Sequence, residues 1–236
     1  MDSRTQAVEA IEAKRVLVNG AIADKASRQV DPADAVVIEG PPARFVSRGG
    51  DKLDAALDAF GIDVTGLRAL DAGASTGGFT DCLLQRGAAS VAAVDVGHGQ
   101  LHPRIREDER VLVLERHNVR GLVPADIGGT VDIVVADLSF ISLTRVIDAL
   151  VSACISEANL VLLVKPQFEA GRQEVSKGRG IITDPAIHER VVAEINAALV
   201  AAGCAVEGWT DSPITGADGN REFLVHATAP RQGSQP

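Results

Sequence analysis

The chain of 236 residues can hold one large domain with a small appendage, and its 46% apolar content supports a sizeable core. A net charge of −9 does not by itself advertise nucleic-acid binding, and three widely spaced cysteines (Cys82, Cys154, Cys204) exclude a disulfide framework or a CxxC metal site. No apolar run approaches the ~20 residues that span a bilayer and no N-terminal stretch reads as a signal peptide, so a soluble cytoplasmic protein is expected.

Charge is unevenly spread. Residues 1–52 carry eight Lys/Arg and eight Asp/Glu, so the whole acidic excess lies further on. A locally basic face is therefore open to the N-terminal part, with Arg4, Lys14, Arg15, Arg44 and Arg48 as candidate RNA contacts. Residues 4–13 have a helical apolar pattern, 15–18 a strand pattern, and Asn19-Gly20 is a tight-turn signal before 21–23 and a further strand at 35–38. Helix, strand, Asn-Gly turn and strand in this order resemble the alpha-L RNA-binding domain, the type named after ribosomal protein S-four. The extra basic helix that normally opens that fold is absent ahead of residue 4, so a truncated version over 1–40 is expected. Gly40-Pro41-Pro42-Ala43 marks the boundary, because two prolines exclude helix. The expected linker is 41–47, the main domain 48–230 and a polar tail 231–236.

Leu53, Ala56, Leu57 and Phe60 follow helical spacing, which puts Lys52 in the first turn of a helix ending at Gly61. Residues 67–70 read as a buried strand, and Asp71 leads into a small-residue loop carrying Gly73, Gly77 and Gly78 before apolar Phe79–Leu84. Glycine permits close approach of the backbone to a ligand, and the following helix N-terminus offers unpaired N–H groups. A second strand, 90–95, ends in Asp95, a position suited to ribose hydroxyls of an adenosine-type ligand. Strand three, 111–114, is closed by Glu115 to Asn118, where an adenine would be read. Strand four spans 131–136 with Asp137 at its carboxyl end, a helix is expected over 142–153, and strand five at 160–164 ends in Lys165. Residues 167–183 read as a long mobile loop, 185–202 as a helix, and 206–210 and 222–227 as the last strands. Seven strands alternating with helices make a doubly wound, mostly parallel α/β sheet whose ligands sit at the strands' carboxyl ends.

Asp137, Lys165, Glu222 and Lys52 each have an ordinary explanation as turn former, surface lysine, edge charge or solvated side chain. Together, around one crevice, they point to chemistry. Five stretches carry a family resemblance: Ser47-Arg48-Gly49-Gly50-Asp51-Lys52-Leu53, Asp71 to Thr80, Asp137-Leu-Ser-Phe-Ile-Ser142, Val164-Lys-Pro-Gln-Phe-Glu169, and Ser212-Pro-Ile-Thr-Gly216 continuing through Gly219-Asn-Arg-Glu222. This series is similar to the TlyA family of RNA 2′-O-methyltransferases, which have an FtsJ-like catalytic domain and often bear a hemolysin label. The resemblance runs from about residue 3 to residue 226. It implies a Rossmann-like class I methyltransferase fold, S-adenosylmethionine as methyl donor, and cytidine ribose in 16S or 23S ribosomal RNA, free or in subunits, as acceptor. The scattered cysteines and histidines and the lack of a spanning run lead us to expect no metal and no membrane partner.

The family's Lys-Asp-Lys-Glu tetrad falls on Lys52, Asp137, Lys165 and Glu222. A ribose hydroxyl is a poor nucleophile, so its methylation needs a base and in-line geometry. Lys165, its pKa lowered by burial and by Lys52 nearby, is expected to accept the proton, with Asp137 orienting it and Glu222 and Lys52 holding the ribose. Asp71, Gly73, Ser75, Thr76, Gly77, Gly78, Phe79, Asp95 and Asn118 are expected to hold the donor. The Asp/Asn-Pro-Pro-aromatic signature common in methyltransferases of base amines is replaced here by Asp137-Leu-Ser-Phe140, which favours a hydroxyl acceptor. Two alternatives remain, a membrane-active cytolysin and an RNA-binding protein with an inactive methyltransferase domain. The first needs a lipid-facing segment that is not visible, and the intact tetrad argues against the second.

Overall fold

The computed structural model describes residues 7–8, 10–11, 14–40 and 43–231. Arg4 and the two prolines of the expected linker lie outside them. Ala7, Val8, Ala10 and Ile11 are helical. They are followed by strands β1 (Val16–Val18), β2 (Ala21–Ile22) and β3 (Val36–Ile38), an antiparallel sheet in the order β2-β1-β3. Asn19 and Gly20 both have positive φ, 52° and 80°, which a two-residue turn of this hand requires between twisted strands. The Asn19 side chain also pins β3, donating to Asp34 Oδ1 (2.6 Å) and accepting from the Ala35 N–H (2.9 Å). Ala10, Val16, Val18 and Ala23 form a small separate core.

The remainder is a seven-stranded sheet. Its strands are β4 (Arg68–Ala72), β5 (Ser90–Val94), β6 (Val111–Leu114), β7 (Val131–Ala136), β8 (Cys154–Val164), β9 (Ala205–Asp211) and β10 (Phe223–Thr228). Their order is β6-β5-β4-β7-β8-β10-β9, with only β10 antiparallel to its neighbours. The central strands are apolar and buried on both faces, as parallel strands covered by helices on each side must be. Helices α1 (Gly49–Phe60) and α2 (Gly78–Gln85) cover one face, packing Leu53, Leu57, Phe79 and Leu83 against it. Below the other face, α4 (Ile147–Ser152) and α7 (Pro185–Ala201) supply Leu150, Val191, Ile195 and Leu199. The chain leaves β4 towards β5 and β6, then returns to β7 on the other side of β4. That reversal opens a crevice at the carboxyl ends of β4 and β7, where ligands of such sheets bind.

Three segments differ from their sequence patterns. The predicted helix over 142–153 is a 3₁₀ turn at Leu143–Arg145 followed by α4, broken at Val146 (φ −127°). Strand β8 begins at Cys154 rather than near 160, and Glu157, at φ 59°, accompanies a register shift against β7 that polar Ser156-Glu157 hides in the sequence. The expected mobile loop 167–183 folds into α5 (Pro166–Glu169) and α6 (Arg172–Lys177). Its end is fastened by buried Asn220, whose Nδ2 donates to the Gly180 carbonyl and whose Oδ1 accepts from the Ile182 N–H, both at 2.9 Å. The polar α3 (Pro103–Arg106) is a single turn. Just ahead of α1, Phe45 and Val46 are buried in the α1–α2 core, so the C-terminal part of the expected linker is packed.

Candidate active site

The four residues of the expected tetrad reach one cavity from four different elements. Lys52 lies on the inward face of α1 with Leu53, Ala56 and Leu57, so a first-turn lysine that would ordinarily be solvated is 7% exposed. Asp137 follows β7, Lys165 follows β8, and Glu222 opens β10. Lys52 Nζ donates to Glu222 Oε2 at 2.5 Å, and both side chains are buried. Lys165 Nζ forms an ion pair with Asp137 Oδ1 and donates to Ser139 Oγ at 3.1 Å. Two lysine–carboxylate pairs thus face one cavity of about 300 Å³ lined also by Arg48, Gly73, Thr76, Gly78 and Gly216. A Cβ at Gly216 would stand 2.6 Å from Glu222 Oε1, so a side chain there would displace the carboxylate that Lys52 holds.

The glycine loop forms the opposite wall. Gly73 has φ +87°, and a Cβ on it would stand 2.4 Å from the Asp137 carbonyl oxygen, so the segments leaving β4 and β7 come this close only with glycine there. Gly78 starts α2 against Ser47 Oγ, 2.2 Å from where its Cβ would be. Ser75 is held at φ 47° with its N–H on Asp95 Oδ2 (2.8 Å), a strained conformation of the kind that clusters at ligand sites. Beneath the loop Asp71 is fully buried. Thr80 Oγ1 donates to its Oδ2 at 2.6 Å, and its Oδ1 has no partner. Burial pushes the Asp71 carboxyl up to about 7 against the Thr80 hydrogen bond, with Asp137 and Asp95 adding to the rise.

These residues suit S-adenosylmethionine. A buried carboxylate with one oxygen unpaired answers the positive charge of its methionine end, and the glycines admit it to the backbone. Asp95 accepts from the N–H groups of Ser75 and Gly97, which uses about half of the roughly four acceptor directions of a carboxylate and leaves some for ribose hydroxyls. Asn118 does not line the cavity. Its Oδ1 caps the turn Val119–Gly121 by accepting from the Arg120 N–H (3.0 Å). Gly77 and Phe79 shape α2, Phe79 being buried and at the cavity edge.

The described candidate RNA contacts sit on different elements. Lys14 and Arg15 sit in the small domain, where Arg15 Nε donates to the Glu39 carbonyl at 2.7 Å. Arg44 pairs with Asp54 and lies over the Phe45 ring, 4.7 Å from its centroid. Of the described candidates Arg48 alone lines the cavity. The residue that the sequence reading passed over is Phe140. It is 90% exposed with φ 64°, an unusual state for a bulky side chain, and its ring meets that of Phe168 at a tilt of 50° with centroids 5.1 Å apart. Its signal was the aromatic in Asp137-Leu-Ser-Phe140, whose exposure only the fold reveals. Among the described residues no group of three or more His, Cys, Asp or Glu could hold a metal.

Sheet order, glycine loop and paired lysines define an S-adenosylmethionine-dependent methyltransferase. The FtsJ-like methyltransferase family matches residues 45–229 and the S4 domain matches residues 1–36, and the chain belongs to the FtsJ-like methyltransferases. It is 49% identical to the 16S/23S rRNA (cytidine-2′-O)-methyltransferase TlyA of Mycobacterium tuberculosis over 94% of this chain and 83% of that protein. It is 40% identical to Hemolysin A of Brachyspira hyodysenteriae over 95% of this chain and 93% of that one. A solved structure from Streptococcus thermophilus with a hemolysin label superposes with TM-score 0.82 at 40% identity, covering 99% of this chain and 86% of that chain. An S-adenosylmethionine-dependent methyltransferase from Mesorhizobium loti shares only the fold, at TM-score 0.55 and 17% identity over 74% of this chain and 96% of that one.

Proposed function

We propose that this protein methylates the 2′-hydroxyl of a cytidine ribose in ribosomal RNA, acting in the cytoplasm. The observation that carries the reading is the pair of lysine–carboxylate ion pairs around one cavity, facing the glycine loop. The names of the relatives and the S4-domain match support ribosomal RNA as acceptor. When bound, S-adenosylmethionine supplies a methyl group on a sulfonium. Asp71 and the backbone of Gly73 to Gly78 hold its cationic end, and Asp95 holds its ribose. Glu222, kept in place by Lys52, accepts a hydrogen bond from the acceptor ribose. Lys165 Nζ takes the 2′-hydroxyl proton as the oxygen attacks in line, and Asp137, its ion-pair partner, stabilises the ammonium so formed. Phe140 offers an exposed ring against Phe168, over which Lys165 lies, and an RNA base can stack on it.

Lys165→Ala tests the assignment. Ribose methylation of ribosomal RNA is expected to be lost while the affinity for S-adenosylmethionine, measured by calorimetry, stays within about twofold, because the removed group acts on the acceptor and not the donor. Full methylation by the variant would overturn the reading.

A further inference from the structure

Asp137 and Lys165 leave neighbouring strands whose pairing fixes their backbones up to Ala136 and Leu162, and the loops that follow decide where the two side chains settle. The two loops touch at three successive points. Lys165 meets Asp137 and Ser139, the Phe168 ring meets Phe140, and Glu169 meets the start of the turn that follows. The last contact is two-pronged: Glu169 Oε2 accepts from Ser142 Oγ at 2.5 Å and Oε1 accepts from the Leu143 N–H at 2.9 Å. Glu169 lies four residues beyond Lys165 across the single turn of α5, and Ser142 lies five beyond Asp137. Both ends of the brace are therefore short and stiff. Ser142 is itself held, its Oγ standing 2.7 Å from Thr144 Oγ1 and 3.2 Å from the Thr144 N–H.

We propose that Glu169 is a positioning residue that locks the α5 loop to the β7 loop and thereby sets the spacing of Asp137 and Lys165. It touches neither the donor loop nor the paired lysines, so its effect passes through geometry. Its bonds favour the charged form but can be kept without the charge. Burial, opposed by the hydrogen bonds from Leu143 and Ser142 and helped by Glu194, pushes the Glu169 carboxyl up. A neutral side chain of the same shape can still accept from Leu143 and donate to Ser142 Oγ, whose hydroxyl then turns to Thr144. Length matters instead, which distinguishes glutamine from alanine at this position.

The inference rests on the proposed reaction, and the experiment separates the two. Single-turnover methylation of ribosomal RNA at saturating donor is measured for Glu169→Ala, Glu169→Gln and Ser142→Ala beside Lys165→Ala, with donor Kd by calorimetry. Glu169→Ala is expected to lower turnover by about 10²-fold, the cost of a misplaced reacting group, with donor Kd within about twofold. Glu169→Gln is expected to recover most of that loss. Ser142→Ala, which removes one prong, is expected to fall roughly tenfold, and it carries the test if Glu169→Ala does not fold. Wild-type turnover in Glu169→Ala or Ser142→Ala, or a glutamine variant as poor as the alanine one, would overturn the brace. Continued methylation by Lys165→Ala would instead overturn the reaction on which it rests.

Discussion

Burying a carboxylate is costly unless a cation or hydrogen bonds compensate it, and Asp71 has only Thr80. Its upward displacement to about 7, from an ordinary 3.8, means that the ligand-free fold favours the neutral acid. This contribution to stability is complete below about pH 4 and disappears as pH climbs through about 7. Asp71→Asn is neutral at every pH and lacks that loss. The Tm difference, variant minus wild type, is therefore expected to grow by several degrees from about pH 5 to about pH 8. A difference independent of pH would show that the carboxyl is not displaced. The asparagine should also bind donor more weakly, since its uncharged oxygen cannot answer a cation.

The site is built where elements end. Each strand terminus contributes one or two side chains, and glycines let those termini converge. Gly73 is the tightest point, because the obstacle to a side chain there is backbone, the Asp137 carbonyl, and cannot swing away. Gly73→Ala combines left-handed strain with that clash and is expected to cost about 1–3 kcal/mol of stability and to weaken donor binding at least tenfold, read by thermal unfolding and calorimetry. The elements that escaped sequence reading share a cause. The turn at Leu143–Arg145 and helices α5 and α6 are too short for an apolar period to register; tertiary contacts hold them, Glu169 bonding Leu143 and Arg190 bonding Glu174. The longer periodic segments were legible: β4, β5, β7, α1 and α7 fall where spacing predicts, within a residue or two of their observed ends.

At the scale of the whole molecule, a methyltransferase and a cytolysin make opposite demands. One hides its apolar surface in a two-sided sheet, and the other must present such surface to lipid. Here the central strands are buried on both faces, and no helix among the described residues is long and apolar enough to cross a membrane. S-adenosylmethionine at about a hundred times its Kd should stabilise the protein by about 2.7 kcal/mol in thermal unfolding. The same protein is expected to release no dye from phospholipid vesicles. Leakage without donor stabilisation would favour the activity that the hemolysin label names.

The sequence by itself determined the alternation of strand and helix, the glycine loop with Asp71 ahead of it, and the identity of four polar residues at element ends. These follow from local spacing and residue chemistry, which need no fold to be read. Only the tertiary structure decided who partners whom. Lys52 joins Glu222 across most of the chain's length and Lys165 joins Asp137 from an adjacent strand, and both pairings depend on a strand order that no local pattern encodes. The same holds for Asp71, whose burial under neighbours distant in sequence, and not its residue type, raises its carboxyl.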